Sequence, residues 1–356
     1  MKLVINIMAA ILVGGGFAAC SGVSNEPMTA NTTSLTSVAG LAQAAGAKSN
    51  GRTLYAMNSD LSSGGFSIAV YSSGGAKLLR TISVPKSGSP AFGVGTDGLL
   101  YESVYGGNRH SRPVLRIYGK RGSKLVDTWR HQKPAYVDIT PDASGNLYTT
   151  CGITVCEYNV LGKVSRKFPH ATSPLAVDNS GDVSVSDCGG KGYNGVECVF
   201  APGQSKPYWT ANAGTVIDDA AFDPAGNLYV AVAGENGAVE EFAPNAEYAT
   251  RTLTDGIVNP YALAFDASGN AYVLNQGKVT VFPPTGTEPI RSITQGVGGC
   301  GLHSACIHPI AFDGTGSLYV ANYTANNITV YAPNGSTPIR TITVGIESPI
   351  GLAIGP

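Results

Sequence analysis

Four carboxylates interrupt stretches of chain that are otherwise apolar. Glu102 follows Leu100-Tyr101, Asp138 precedes Ile139-Thr140, and Asp218-Asp219 lead into Ala220-Ala221-Phe222. His303 and His308 lie further along. Carboxylates converging with imidazoles hold divalent cations such as calcium or zinc. None of these residues shows a diagnostic ligand spacing. The simpler expectation is that each pairs with a backbone amide or a basic side chain. No cofactor is therefore expected, and a divalent cation stays open as the alternative. No catalytic residue can be assigned, because no G-x-S-x-G elbow, H-E-x-x-H helix or phosphate loop is present.

The seven cysteines carry a second chemistry. Six fall in close pairs, Cys151 with Cys156, Cys188 with Cys198 and Cys300 with Cys306. Zinc sites favour tighter C-x-x-C spacing with histidine partners, so three local disulfides are expected, as in a chain from an oxidising compartment. Tyr105, Tyr193 and Tyr323 lie in glycine- and asparagine-rich segments and could stack on a sugar or a peptide, with His303 and His308 as polar neighbours. With 17 tyrosines in the chain, most are expected to pack between strands.

The elements that must position these residues repeat. Asp223-Pro-Ala-Gly-Asn-Leu-Tyr-Val230, Asp266-Ala-Ser-Gly-Asn-Ala-Tyr-Val273 and Asp313-Gly-Thr-Gly-Ser-Leu-Tyr-Val320 are three copies of one unit. Weaker copies place anchors at positions 55, 101, 148 and 184, ahead of 229, 272 and 319. A period of about 45 residues with several short strands per unit is that of a β-propeller blade. Seven anchors predict an all-β, seven-bladed ring, with six blades as the alternative. The first anchor has no strand before it, and Pro349-Ile-Gly-Leu-Ala-Ile-Gly355 is left over at the end of the chain, so the terminal strand is expected to close the ring. Asp178-Asn-Ser-Gly-Asp182 looks like a calcium loop. Related turns recur at Asp142, Asp223, Asp266 and Asp313, and an aspartate bonding its own turn explains them all.

Residues 1–19 read as a secretory signal, and 20–49 as a flexible tether rich in Ser, Thr, Asn, Ala and Gly, leaving 50–356 for the propeller. Phe17-Ala18-Ala19-Cys20 resembles a bacterial lipoprotein signal, which implies lipid attachment at Cys20 and a location in the cell envelope, periplasmic or surface-exposed. Ordinary cleavage near Ala18 or Ala19 would give a secreted product. Lys plus Arg is 23 against 24 acids, so no basic surplus points to nucleic acid and no basic run points to anionic lipid. Contact with a membrane is thus expected through the anchor alone, and the chain is expected to be a monomer.

Leu318-Tyr-Val-Ala-Asn322 followed by Asn327-Ile-Thr-Val-Tyr331 resembles bacterial NHL and YVTN-type propeller repeats. That resemblance covers residues 50–356 and implies the fold; propellers of this kind include binding scaffolds, lactonases and lyases. The loops between second and third strands and those joining blades should share one rim. The expected function is recognition of a protein, peptide or glycan there, with a metal-dependent lactonase-like hydrolase or lyase as the alternative.

Overall fold

A computed structural model of the chain describes residues 52–356 apart from 61–64, 85–90, 105–113, 131–137, 152–153, 170–171, 189–194, 235–236, 299–305 and 307. Its strands form seven antiparallel sheets of four. From the inner strand outwards, blade one is Pro349–Gly355, Thr53–Asp60, Gly65–Tyr71 and Leu78–Val84. Blade two is Ala91–Val94, Leu100–Val104, Val114–Tyr118 and Leu125–Arg130. Blade three is Ile139–Pro141, Leu147–Thr150, Thr154–Tyr158 and Val164–Pro169. Blade four is Thr172–Val177, Val183–Ser186, Val196–Phe200 and Trp209–Asn212. Blade five is Ile217–Phe222, Leu228–Val232, Ala238–Phe242 and Arg251–Leu253. Blade six is Ala262–Phe265, Ala271–Asn275, Lys278–Phe282 and Arg291–Ile293. Blade seven is Ile310–Phe312, Leu318–Asn322, Asn327–Tyr331 and Pro338–Ile342.

Each inner strand contacts the inner strands of the two flanking blades, all the way round the ring. The core lies between blades, because alternate side chains of a strand point to opposite faces of its sheet. Leu263 and Phe265 pack back on Tyr229 and Leu253 of blade five. Ala262 and Ala264 pack forward on Ile310 and Phe312 of blade seven. Edge-on aromatic pairs cross the same seams: Tyr229–Phe265 at 4.7 Å, Tyr272–Phe312 at 4.8 Å and Phe168–Phe200 at 4.7 Å. The chain end closes blade one as expected. Leu54 pairs with Ile354 and Ala56 with Leu352, and the whole of Pro349–Gly355 is buried.

A second interlock ties the periphery. The outer strands of blades one, three, five, six and seven carry an arginine at one register position, Arg80, Arg166, Arg251, Arg291 and Arg340. Arg80 donates to Ser123 O, Arg166 to Ala201 O, Arg251 to Pro283 O and Arg291 to Asn334 O, each in the next blade's turn before its outer strand. Blade four substitutes Trp209, whose indole N–H reaches Ala246 O at 2.7 Å. A planar guanidinium with several donors suits carbonyl clusters of this kind.

Strand direction sorts the connections into two rims. Turns from inner to second and from third to outer strands share one, the turn rim. Hairpins from second to third strands and the blade connectors share the other, the loop rim. On the turn rim one device repeats. The Oδ1 of Asp142, Asp178, Asp223, Asp266 and Asp313 accepts the N–H groups two and four residues on. These aspartates satisfy their own turns.

Candidate functional site

Among the described residues, the loop rim is built in four ways across the seven blades. The residue three beyond the Tyr anchor, at the end of the second strand, decides how. In blades one, six and seven it is asparagine. Asn58 Nδ2 donates to Gly345 O at 2.9 Å, and Asn322 Nδ2 to Gly296 O at 2.9 Å and Thr329 Oγ1 at 2.8 Å. Asn275 Nδ2 donates to Thr280 Oγ1 at 3.1 Å, and that hydroxyl donates to Gly256 O. Each asparagine thus ties a hairpin to the incoming blade connector, directly or through a threonine. In blade three the same position is Cys151, bonded to Cys156. In blade four it is Asp187, in left-handed conformation (φ 54), which accepts from Gly195 N beside the Cys188–Cys198 disulfide. In blade two and blade five the position is valine, Val104 and Val232, a residue type without a polar side-chain group.

Two of the three expected disulfides are thus in place, bracing the hairpins of adjacent blades. Cys306 is also disulfide-bonded, and its expected partner Cys300 lies outside the described residues. So do Tyr105, Tyr193, His303 and Cys20. Tyr323, in the hairpin of blade seven, is half-buried and packs on the cluster between blades one and two that contains Phe92 and Ile350. His308 is buried, takes left-handed φ (48°), and its carbonyl accepts Leu352 N of blade one at 3.0 Å. It precedes the inner strand of blade seven by two residues and bridges two blades.

Among the described residues, the carboxylates do not converge with His308 as one cluster. Asp219 lies on the inner strand of blade five, and Asp138, one residue before the inner strand of blade three, holds the corresponding place; both are fully buried. Asp138 Oδ2 accepts Leu175 N of blade four at 3.3 Å. Asp219 Oδ2 accepts Leu263 N of blade six at 2.7 Å, and its Oδ1 accepts Ala220 N. Burial pushes both carboxyls well above the usual carboxylate range, and the Asp219 charge raises Asp138 further. Asp218 sits at a bulge, where the ladder skips from Ile217 to Asp219, and desolvation raises it to about 6. Glu102 lies on the second strand of blade two, fully buried against the blade one seam. Tyr118 OH donates to its Oε2 at 2.8 Å while its Oε1 has no partner, and burial lifts the carboxyl to about 7.

A fifth acid, Glu197, belongs with this group and was not visible as such in the sequence. It is buried on the third strand of blade four, accepts the hydroxyls of Ser184 and Ser186, and is raised by burial to about 7. The signal was Ser184 standing at an anchor position, with Ser186 on the same face of the strand. Among the described residues, no three His, Cys, Asp or Glu side chains stand where they could hold one metal ion. Asp138 and Asp219 instead supply acceptors to backbone amides in the inner strand of the next blade. By sequence the chain matches no known protein family and no curated protein.

Proposed function

We propose that this propeller is an exported, membrane-tethered recognition scaffold of NHL/YVTN type that binds a protein, peptide or glycan through its loop rim. The observation carrying this reading is the contrast between the rims. Among the described residues, blades three to seven repeat one self-satisfied aspartate turn on the turn rim, whereas the loop rim carries an asparagine lock in three blades, a disulfide in two and valine at that position in the other two. Varied loops fixed on a rigid ring are how scaffolds present binding surfaces. The disulfides accord with export, and lipid attachment at Cys20 would supply the tether.

Peptide and glycan arrays probed with the purified chain test the reading. A retained ligand should be lost when Tyr323→Ala is combined with replacement of residues 106–111 by a short Gly-Ser link, and kept when Thr315→Ala alters the turn rim. Retention of every ligand by the loop-rim variant would overturn it. Mass spectrometry of the mature amino terminus should find a diacylglyceryl-modified Cys20; an unmodified terminus would remove the tether.

A further inference from the structure

The turn rim of blades one to four gathers basic side chains that are scattered in sequence. The turns between third and outer strands carry Lys77 in blade one, Lys120, Arg121 and Lys124 in blade two, Lys163 in blade three and Lys206 in blade four, all exposed. The interlock sets these turns side by side. Arg80 holds the blade-two turn through Gly122 O and Ser123 O, and Arg166 holds the blade-four turn through Ala201 O and Gln204 O. Between them the Trp129 indole lies on the blade-three turn, so close that a Cβ at Gly162 would fall 2.4 Å from the ring. The matching turns of blades five and six carry Glu247 and Glu288, and that of blade seven has no charge.

Among the described residues no carboxylate forms an ion pair with these cations; the ion pairs there are Arg166–Glu157 and Arg251–Glu241. The acids nearest in the fold are occupied. Asp97 bonds Leu99 N, Asp127 bonds Thr128 N and the Trp129 indole, Asp178 bonds its turn, and Asp182 accepts Tyr208 OH. At the centre of the basic arc the tip of the blade-three turn is apolar, with Val160 65% and Leu161 73% exposed. Leu125, Val126 and Val164 extend this exposed apolar surface on either side.

We propose that this edge of the turn rim docks on an anionic phospholipid surface, with Val160 and Leu161 entering the headgroup layer and Lys120, Arg121, Lys124 and Lys163 on the lipid phosphates. An apolar tip ringed by flexible cations suits an interface that is wet and anionic above and apolar below. Lysines are depleted from protein-protein interfaces, where aromatic residues and arginine dominate, and a polyanion without acyl chains would leave the apolar tip uncovered. Docking this way goes beyond attachment through a lipid anchor. It would turn the loop rim away from the bilayer whatever ligand that rim takes.

A chain of residues 21–356 retains every strand of the ring and lacks the lipidated cysteine. It should co-sediment with vesicles of phosphatidylcholine and phosphatidylglycerol, and not with phosphatidylcholine alone. Each surface cation contributes about fivefold to partitioning, so Lys120→Glu, Arg121→Glu and Lys163→Glu together should lower binding roughly a hundredfold or more. Val160→Ser with Leu161→Ser should abolish it at equal charge, and thermal melts should show both variants folded. Reversal of Glu247 and Glu288 to lysine, on the far side of the ring, serves as the control and should not substitute for the basic arc. Equal binding to neutral vesicles, unchanged binding by either turn variant, or binding to heparin without binding to anionic vesicles would overturn the proposal.

Discussion

Asp219 Oδ2 accepts the backbone N–H of Leu263 at 2.7 Å across the seam between blades five and six. Two blades earlier, Asp138 makes the same bond to Leu175. Replacing Asp219 with alanine strands two buried amides, Leu263 N and Ala220 N, for a cost of about 2–4 kcal/mol. Denaturant unfolding should show that loss. Asp219→Asn keeps an acceptor oxygen and should lose less. An alanine variant as stable as the parent would show that the bond does not matter.

Glu102 gives the fold a pH dependence with a definite sign. Its folded-state value of about 7 lies above the ordinary value of 4.5. The neutral acid is therefore preferred in the fold, and its stabilising effect is complete below pH 4.5, shrinking as pH rises to 7. The difference amounts to roughly 3 kcal/mol. Glu197, also raised to about 7, acts in the same direction. Unfolding midpoints should fall between pH 5 and pH 8. Glu102→Val, which installs the residue found at this place as Val230, Val273 and Val320, should flatten part of that fall and raise stability at pH 8.

Arg251 is the most heavily used of the peripheral arginines. It pairs with Glu241, donates to Tyr229 OH at 2.5 Å, and reaches Pro283 O and Gly286 O in blade six. Arg251→Met leaves Glu241 buried without its partner, and a loss of about 3–5 kcal/mol is expected. Arg80→Met, whose partners are two carbonyls near the surface, should lose about 1 kcal/mol. Thermal melts of the two variants should rank them in that order.

Peptide mapping without reduction should find Cys300 linked to Cys306, alongside the two disulfides of blades three and four. A link from Cys306 to any other cysteine, or a free thiol at Cys300, would contradict the local pairing.

Much of the ring was legible because propeller repeats write themselves into the chain. The seven anchors mark one place in each blade, the aspartate turns recur in five of them, and the orphan strand Pro349–Gly355 marks the closing seam; together they fixed both blade number and closure. The carboxylates were visible only as interruptions. That Asp138 and Asp219 hold corresponding places, and that their acceptors serve the next blade, depends on inter-blade geometry that no local spacing encodes. Glu197 was hidden for the same reason, since its hydroxyl partners lie 11 and 13 residues away across a hairpin. The basic arc escaped notice because no two of its turns are neighbours in sequence. Only the ring sets Lys77, Lys120, Lys163 and Lys206 in order along one edge.

The pairing of Thr53–Asp60 with Pro349–Gly355 also sets a schedule for folding. The second strand of blade one is made at the start of the ring and its inner partner about 300 residues later. At roughly 5–20 residues per second, that strand waits at least about 15 seconds before its partner exists. The entropy of joining ends so far apart is about 5 kcal/mol, recovered only when residues 349–355 dock. Until then six complete blades stand beside a three-stranded blade one, whose Thr53–Asp60 strand has no inner partner. The interval before closure is therefore when the chain is most exposed to proteases and to neighbouring chains, and a holding factor acting on it would need to recognise an exposed strand edge in blade one.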